Sequence, residues 1–264
     1  MINAHVVAHS RCTAHTVELY TLEVTLPRCL VAQLNTHRAL VRNSASSRAI
    51  PIEKMIAAIQ AAPYVPVWHK NARGMQPGEP LPPDVQADMT QRWLQALDHA
   101  VETARELAQA GAAKEDANRI LEPWAWSKVL LSGTDWRGFF AQRLPGTAGA
   151  QYGIAELARC MREAMDASTP KVLEPGQWHL PYGGSPEQSA AQCARVSYTR
   201  HGEDSSPEKL AEIYDRLTGS RPGHWSPLEH PAMAMETPTR CRNYRGWQQL
   251  RAVVDEGQWE EESS

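Results

Sequence analysis

The chain has no CxxC pair, no excess of basic residues and no apolar run approaching the roughly 20 residues that a membrane-spanning helix needs. Each absence narrows the function. Without CxxC spacing, the five cysteines (Cys12, Cys29, Cys160, Cys193 and Cys241) read most simply as reduced thiols of a cytosolic protein. A formal net charge of −3 argues against a general nucleic-acid binder, whose polyanionic partner demands a basic surface. No positively charged N-terminal region precedes a long apolar stretch, so no membrane partner is expected and the expected location is the cytoplasm. The helical patterns carry no convincing ExxE or ExxD metal cluster, which ranks a carboxylate-based nucleotide hydrolase last and implies no metal. What is present is a chain of 264 residues, 42% hydrophobic, long enough to bury a substantial core and read here as one domain over residues 1–264.

The densest chemistry lies in Leu34 to Pro51, LNTHRALVRNSASSRAIP. Val31, Leu34 and Leu40-Val41 form an apolar stripe that predicts a helix carrying His37 and Arg38. Asn43 and the serines after it predict local turns, and Pro51 opens the next helix. Backbone amides, the Ser46 and Ser47 hydroxyls and the Arg48 guanidinium then converge in one short loop ahead of a helix N-terminus, which suits a phosphate. Serine-rich turns followed by arginine are also common as plain solvated loops, so this stretch alone leaves both readings open.

Elsewhere the chain reads mostly as scaffold. His5, His9, Cys12 and His15 fit no common zinc spacing, and the Val6-Val7 pair among them predicts a short strand. Val17 to Leu26 predicts a strand with a change of face or a bulge, ended by Pro27. Ile52 to Ala61 continues as a helix. Pro63 to Pro83, with six prolines, Gly74 and Gly78, is a long loop in which Trp68, His69 and Met75 pack down or line a ligand. Asp84 to Ala110 is a long helix stopped at Gly111, and Lys114 to Leu131 a second one that Pro123 kinks or interrupts. Thr134 or Asp135 caps a short helix presenting Phe139, Phe140 and Arg143. Ile154, Leu157, Met161 and Met165 form a core stripe, and Pro170 to Gly184 reads as a loop without a role. Asn243 to Arg251 reads as a basic, aromatic helix end that covers the site or meets another subunit.

The order HisArg, seven residues, Ser, one residue, Arg resembles the signature of flavin-dependent thymidylate synthases, Arg-His-Arg-x7-Ser followed by Gly-Arg-Tyr. Here it reads Thr36-His37-Arg38 and Ser46-Ser47-Arg48, with Thr36 for the leading Arg and Ala49 for the trailing Tyr. ANRILEP resembles the family's Ala-Arg-x-x-Leu-Pro, and Gly138-Phe139 to Arg143 its Asn-Phe-x-x-x-Arg, with Gly138 at the Asn. Gln151-Tyr152-Gly153-Ile154 stands where the family has Gln-x-Glu-Ile, without the Glu. AAQCARVSY and GHWSPLEHP resemble Ala-Arg-x-Ser and Gly-His-x-Ser-Pro-Phe-Glu-His, which the family carries upstream of its signature. Here they lie far downstream, which implies a circularly permuted order within an α/β (α+β) thymidylate synthase-complementing fold.

The resemblance implies C5-methylation of a uridine monophosphate nucleotide by a homotetramer, with FAD as cofactor and methylenetetrahydrofolate and NADPH as co-substrates. It assigns the nucleotide to Gln33, Ser44, Ser46, Ser47, Arg48, Arg119 and Arg143. The flavin falls to Thr36, His37, Arg38, Asn43, Ser132, Gly138, Ser226 and His230. Arg143 and His230 are the implied catalytic residues, one at the uracil edge and one facing flavin from the folate side. Family members usually have Asn-Glu where this chain has Asn43-Ser44, so that Ser44 either leaves room for a ribose 2′-hydroxyl, as in a relative of the family that methylates UMP in nucleoside-antibiotic biosynthesis, or faces solvent in an ordinary thymidylate synthase. The missing Asn, Glu and first Arg keep one alternative in view: a flavin-free nucleotide-binding or assembly protein that retains the fold.

Overall fold

Alternating apolar residues near the N-terminus build the centre of the fold. A computed structural model describes residues 1–74, 76–146, 149–196, 205–219 and 223–255. Met75 and the Ser197-Tyr198 end of AAQCARVSY lie outside the described residues. Asn3–Cys12 (β1) and Glu18–Pro27 (β2) pair antiparallel, and their register shifts between Val6 and Ala8. The irregularity foreseen for Val17 to Leu26 therefore falls on the partner strand. Val41–Ser44 (β3), Trp126–Gly133 (β4) and Lys171–Leu173 (β5) complete a sheet of order β3-β4-β2-β1-β5, in which β5 runs parallel to β1 and the other pairs are antiparallel.

The helices are Val31–Leu34 (α1), Ile52–Ala61 (α2), Pro83–Gln109 (α3), Lys114–Ala117 (α4), Arg137–Arg143 (α5), Tyr152–Asp166 (α6), Pro186–Val196 (α7) and Pro207–Gly219 (α8). Ile154, Leu157 and Met161 of α6 bury completely against Leu22, Val24, Leu26 and Leu131 of the sheet, each such side chain contributing roughly 1.5–3 kcal/mol. Cys193 and Val196 of α7 pack instead on Leu130, so β4 alternates between two apolar clusters. A separate core joins α2 and α3 to the segment before β4 through Ile56, Leu97, Val101, Leu121 and Trp124. The Pro-rich loop lies down on α3: Trp68 Nε1 donates to Thr90 Oγ1 at 3.2 Å and the Trp68 and Trp93 rings meet edge to face. Gly111, at φ 86°, accepts the backbone turn that ends that helix region.

Five expectations are corrected. The helix foreseen over His37 and Arg38 stops at Leu34, where Thr36 Oγ1 donates to the Gln33 carbonyl at 2.7 Å and competes with helical pairing. His37 and Arg38 thus sit on turns, while Asn43 and Ser44 lie in β3, because pairing with β4 overrides their turn preference. The helix foreseen to Leu131 survives only as α4 and 3-10 turns over Asn118–Trp124. Pro123 ends it, and WSKVLLSG becomes strand β4. Pro170 to Gly184 contains β5 and also Trp178–His179 (β6), which joins Ala232–Ala234 (β7) and, past the hairpin Arg240–Cys241 (β8) and Tyr244–Arg245 (β9), Trp247–Gln249 (β10) in a small sheet of order β10-β7-β6. Most of Asn243 to Arg251 is therefore strand and turn, and helix begins only at Leu250.

Candidate functional site

Strand β3 ends at Ser44, and the chain turns there into a cavity of about 310 Å³. Asn43, Ser44, Ser46 and Arg48 form one wall, Glu115 of α4 another, and Ala194, Leu217, His224, Ser226 and Pro227 close it. The far wall is the GHWSP motif, so the fold brings together the two stretches that the sequence holds far apart. Gly223 is required at that wall, since a Cβ there would lie 1.8 Å from the Trp225 indole nitrogen. The 3-10 turn Ser226–Glu229 is held from behind: Gln249 Nε2 donates to the Glu229 carbonyl at 3.1 Å, and Arg251 pairs with the Glu229 carboxylate. Among the described residues, the side chains of Ser44, Ser46, Arg48, Glu115, His224 and Ser226 make no hydrogen bond or ion pair with the protein. Asn43 lines the cavity but commits its amide, Nδ2 donating to the Cys193 carbonyl at 2.9 Å.

The loop that carries Arg48 is clamped from below. Buried Asn118 donates through Nδ2 to the carbonyls of Ser47 and Ile50, both at 2.9 Å. Arg28 donates to the Ala45 carbonyl at 2.6 Å and pairs with Glu122, whose carboxylate accepts the Ser47 hydroxyl at 2.7 Å. Two assigned nucleotide ligands are thereby redirected. Ser47 is 3% exposed and spends its hydroxyl on Glu122, and Arg119 points outward to the same carboxylate at 3.4 Å. Within ANRILEP it is Asn118, a residue to which sequence reading gave no role, whose side chain holds the Arg48 loop. Ser47→Ala is expected to lower stability by about 1–2 kcal/mol in thermal unfolding while leaving ligand affinity within about twofold of wild type. A large affinity loss with an unchanged melting temperature would return Ser47 to the cavity.

A second cluster forms around Arg143 on the last turn of α5. Its Nε donates to His37 Nε2 at 3.0 Å and its Nη2 to Thr36 Oγ1 at 3.4 Å, while the His37 ring meets Phe139 edge to face. Burial, then the charges of Arg143 and Arg42, lower the His37 pKa, which keeps the ring an acceptor. Gln33 Nε2 donates to Gln151 Oε1 nearby, and the carbonyl of exposed Arg38 accepts from Asn243 Nδ2 at 2.7 Å. Gly138 is exposed, and a Cβ built there meets nothing within 4 Å, so the family's asparagine is missing without any steric reason.

His230 and Ser132 are not at a surface. His230 is fully buried, and its Nδ1 lies 2.8 Å from Ser132 Oγ. From there the contacts run through Thr21 Oγ1 (2.6 Å) to His179 Nε2 (2.9 Å), and from His179 Nδ1 to Ser10 Oγ (2.8 Å). Burial pushes the His230 pKa down to about 3, and it does the same to His179, helped by the charges His230 and His9 would carry. Within this chain Ser132 and His230, the residues assigned to the flavin, belong to an internal polar chain linking β1, β2, β4 and β6 to the turn behind Ser226. No spacing in the sequence pointed to His179.

The described residues hold no group of three or more His, Cys, Asp or Glu that could bind a metal, and no helix long and apolar enough to cross a membrane. Among solved structures, the UMP/dUMP methylase PolB from Streptomyces cacaoi bound with 5-Br UMP matches with a TM-score of 0.52 and 18% identity, covering 62% of this chain and 88% of that one. The same enzyme bound with 5-Br dUMP matches with a TM-score of 0.47 and 21% identity over 56% of this chain and 65% of that one. The first of these shows a shared fold. No curated protein matches. The family model of the thymidylate synthase complementing protein matches residues 3–171, which span β1 to the start of β5 and include both arginine clusters, and the chain belongs to that family.

Proposed function

We propose that the chain methylates carbon 5 of a uridine monophosphate nucleotide, dUMP or UMP, with methylenetetrahydrofolate as carbon donor and reduced FAD as reductant. The observation that carries this reading is the cavity, where Ser44, Ser46, Arg48 and Ser226 face a common space with no protein partner among the described residues. Its volume lies at the low end of ligand pockets, about 300–1,000 Å³, and suits a mononucleotide rather than a dinucleotide. Arg48 and the hydroxyls take the 5′-phosphate as charge-assisted hydrogen bonds. The likeness in fold to a UMP/dUMP methylase accords with this substrate class.

Carbon 5 of uracil is a poor nucleophile until its ring is polarised, and the common device is cysteine attack at carbon 6. Burial raises the thiol pKa of Cys29, Cys160 and Cys193, that of Cys193 most strongly, so none of the three is a ready thiolate. Arg143 is the alternative, since its Nη1 has no partner among the described residues and can hydrogen-bond the uracil edge and steady the charge that develops there. FAD, recharged by NADPH, supplies the two electrons that turn the transferred methylene into a methyl group. The fit to flavin within one chain is partial: Thr36, His37, Arg38 and open Gly138 offer an edge for it, whereas Ser132 and His230 face inward. Neighbouring copies in a homotetramer complete the site in this reading, and the joining of residues 224–227 to 43–48 supports a permuted motif order.

The inward turn of Ser132 and His230 and the glycine at 138 favour one second reading, a flavin-free nucleotide-binding protein. Purified protein incubated with FAD and desalted is expected to retain flavin absorbance and to bind UMP or dUMP in calorimetry. A colourless protein that still binds nucleotide supports the second reading, and a folded protein that binds neither nucleotide sinks both.

A further inference from the structure

We propose that Glu115 reads the sugar of the bound nucleotide, its carboxylate accepting hydrogen bonds from the 2′- and 3′-hydroxyls, so that the site favours the ribonucleotide. The proposal rests on the cavity being the nucleotide site. Glu115 projects from α4, a single turn anchored by fully buried Ala117 and packed against the 3-10 turn that carries Arg48. Both side chains line the cavity, yet they do not pair with each other, and neither has another partner among the described residues. The ligand that satisfies such a wall is bipolar: anionic where it meets Arg48, Ser44 and Ser46, and a neutral hydrogen-bond donor where it meets the carboxylate. A simple phosphate or diphosphate fails this test, because Glu115 repels it. A nucleoside monophosphate passes it, since the groups next to its phosphate are sugar hydroxyls.

Ionised carboxylate oxygens are acceptors only, and the two of Glu115 match the vicinal donors of a ribose. A deoxyribose offers one of those donors and leaves the second oxygen unmatched. Hydrogen bonds to charged groups are strong enough for the difference to read as about 10- to 100-fold in affinity. Ser44, whose short side chain lines the same cavity, leaves the sugar space to reach the carboxylate.

The test is calorimetric titration of the full chain and of Glu115→Ala and Glu115→Gln with UMP, dUMP and inorganic phosphate. Glu115 is exposed, so its replacement removes no packing. Wild type is expected to bind UMP at least about tenfold more tightly than dUMP, and Glu115→Ala to bring the two within about twofold by weakening UMP alone. Glu115→Gln falls between them, and inorganic phosphate binds Glu115→Ala no more weakly than wild type. Equal binding of UMP and dUMP by wild type, or a preference that survives in Glu115→Ala, overturns the proposal. Equal weakening of both nucleotides in the variant also overturns it, because the carboxylate then meets the uracil N3–H. If wild type binds neither nucleotide, the nucleotide reading itself fails, an outcome distinct from all of these.

Discussion

Arg48→Ala weakens UMP and dUMP alike by about 10- to 150-fold in titration calorimetry, with no change in the thermal unfolding midpoint. The magnitude is that of a hydrogen bond between charged groups, about 1.5–3 kcal/mol, lost at a phosphate that no other cation in the cavity wall holds permanently. Stability is spared because exposed Arg48 has no partner among the described residues, so its truncation leaves nothing in the folded chain unpaired. Arg48→Lys restores charge without the planar fork and recovers part of the affinity. Arg119→Ala serves as the contrast: its side chain is 60% exposed and turned to Glu122, and binding changes little. Unchanged affinity in Arg48→Ala, with a large loss in Arg119→Ala, would move the phosphate out of this cavity.

Acidification from pH 7 to pH 4 is expected to remove about 6 kcal/mol of folding stability through His179 and His230 alone. Both are held near a pKa of about 3 in the fold, against an ordinary value of 6.5. Above pH 6.5 folded and unfolded chains both carry them neutral, and the stability is fully present. Below it the unfolded chain takes up protons that the folded chain refuses, so stability falls by about 1.4 kcal/mol per pH unit and histidine until the folded pKa is reached. By pH 4 the loss is about 3 kcal/mol for each, and the two together rival the 5–15 kcal/mol that typical domains possess. His9 and His37, also lowered, act in the same direction. The depressed carboxylates of Glu53, Asp135, Glu156 and Glu212 act only below their ordinary values of 3.8 to 4.5, so the fall between pH 6.5 and 5 isolates the imidazoles. Urea unfolding at pH 7, 6 and 5 measures it, and a flat profile over that range would mean that His179 and His230 are not sealed from water.

Local pattern located the elements whose cause is local. Ile52–Ala61 is helical to the residue, and α3 runs within one residue of its expected limits at either end, because proline at the start and Gly111 beyond the end act through the neighbouring backbone. WSKVLLSG was misread because a short apolar run fits a buried helix as well as a central strand, and only its two neighbours in the sheet decide between them. The site divided along the same line. Motif resemblance assigned Ser46 and Arg48 to the nucleotide and Ser226, Ser132 and His230 to the flavin, whereas the fold brings Ser46, Arg48 and Ser226 to one cavity and buries Ser132 and His230. Asn118, His179 and Glu115 gave no sequence signal, because an amide under a loop, an imidazole between strands and a carboxylate across a cavity acquire meaning only through partners distant in the chain.

That same distance sets when the cavity can exist. Its walls come from residues 43, 44, 46, 48 and 115 on one side and from 194, 217, 224, 226 and 227 on the other, so a chain released only as far as residue 171 has half a cavity. Closing so long a loop costs entropy before any contact repays it, which makes the site a late product of folding. Nucleotide added to a refolding chain finds nothing to hold until the last step is complete. It therefore stabilises the finished protein by mass action and slows its unfolding, while the rate of folding stays the same.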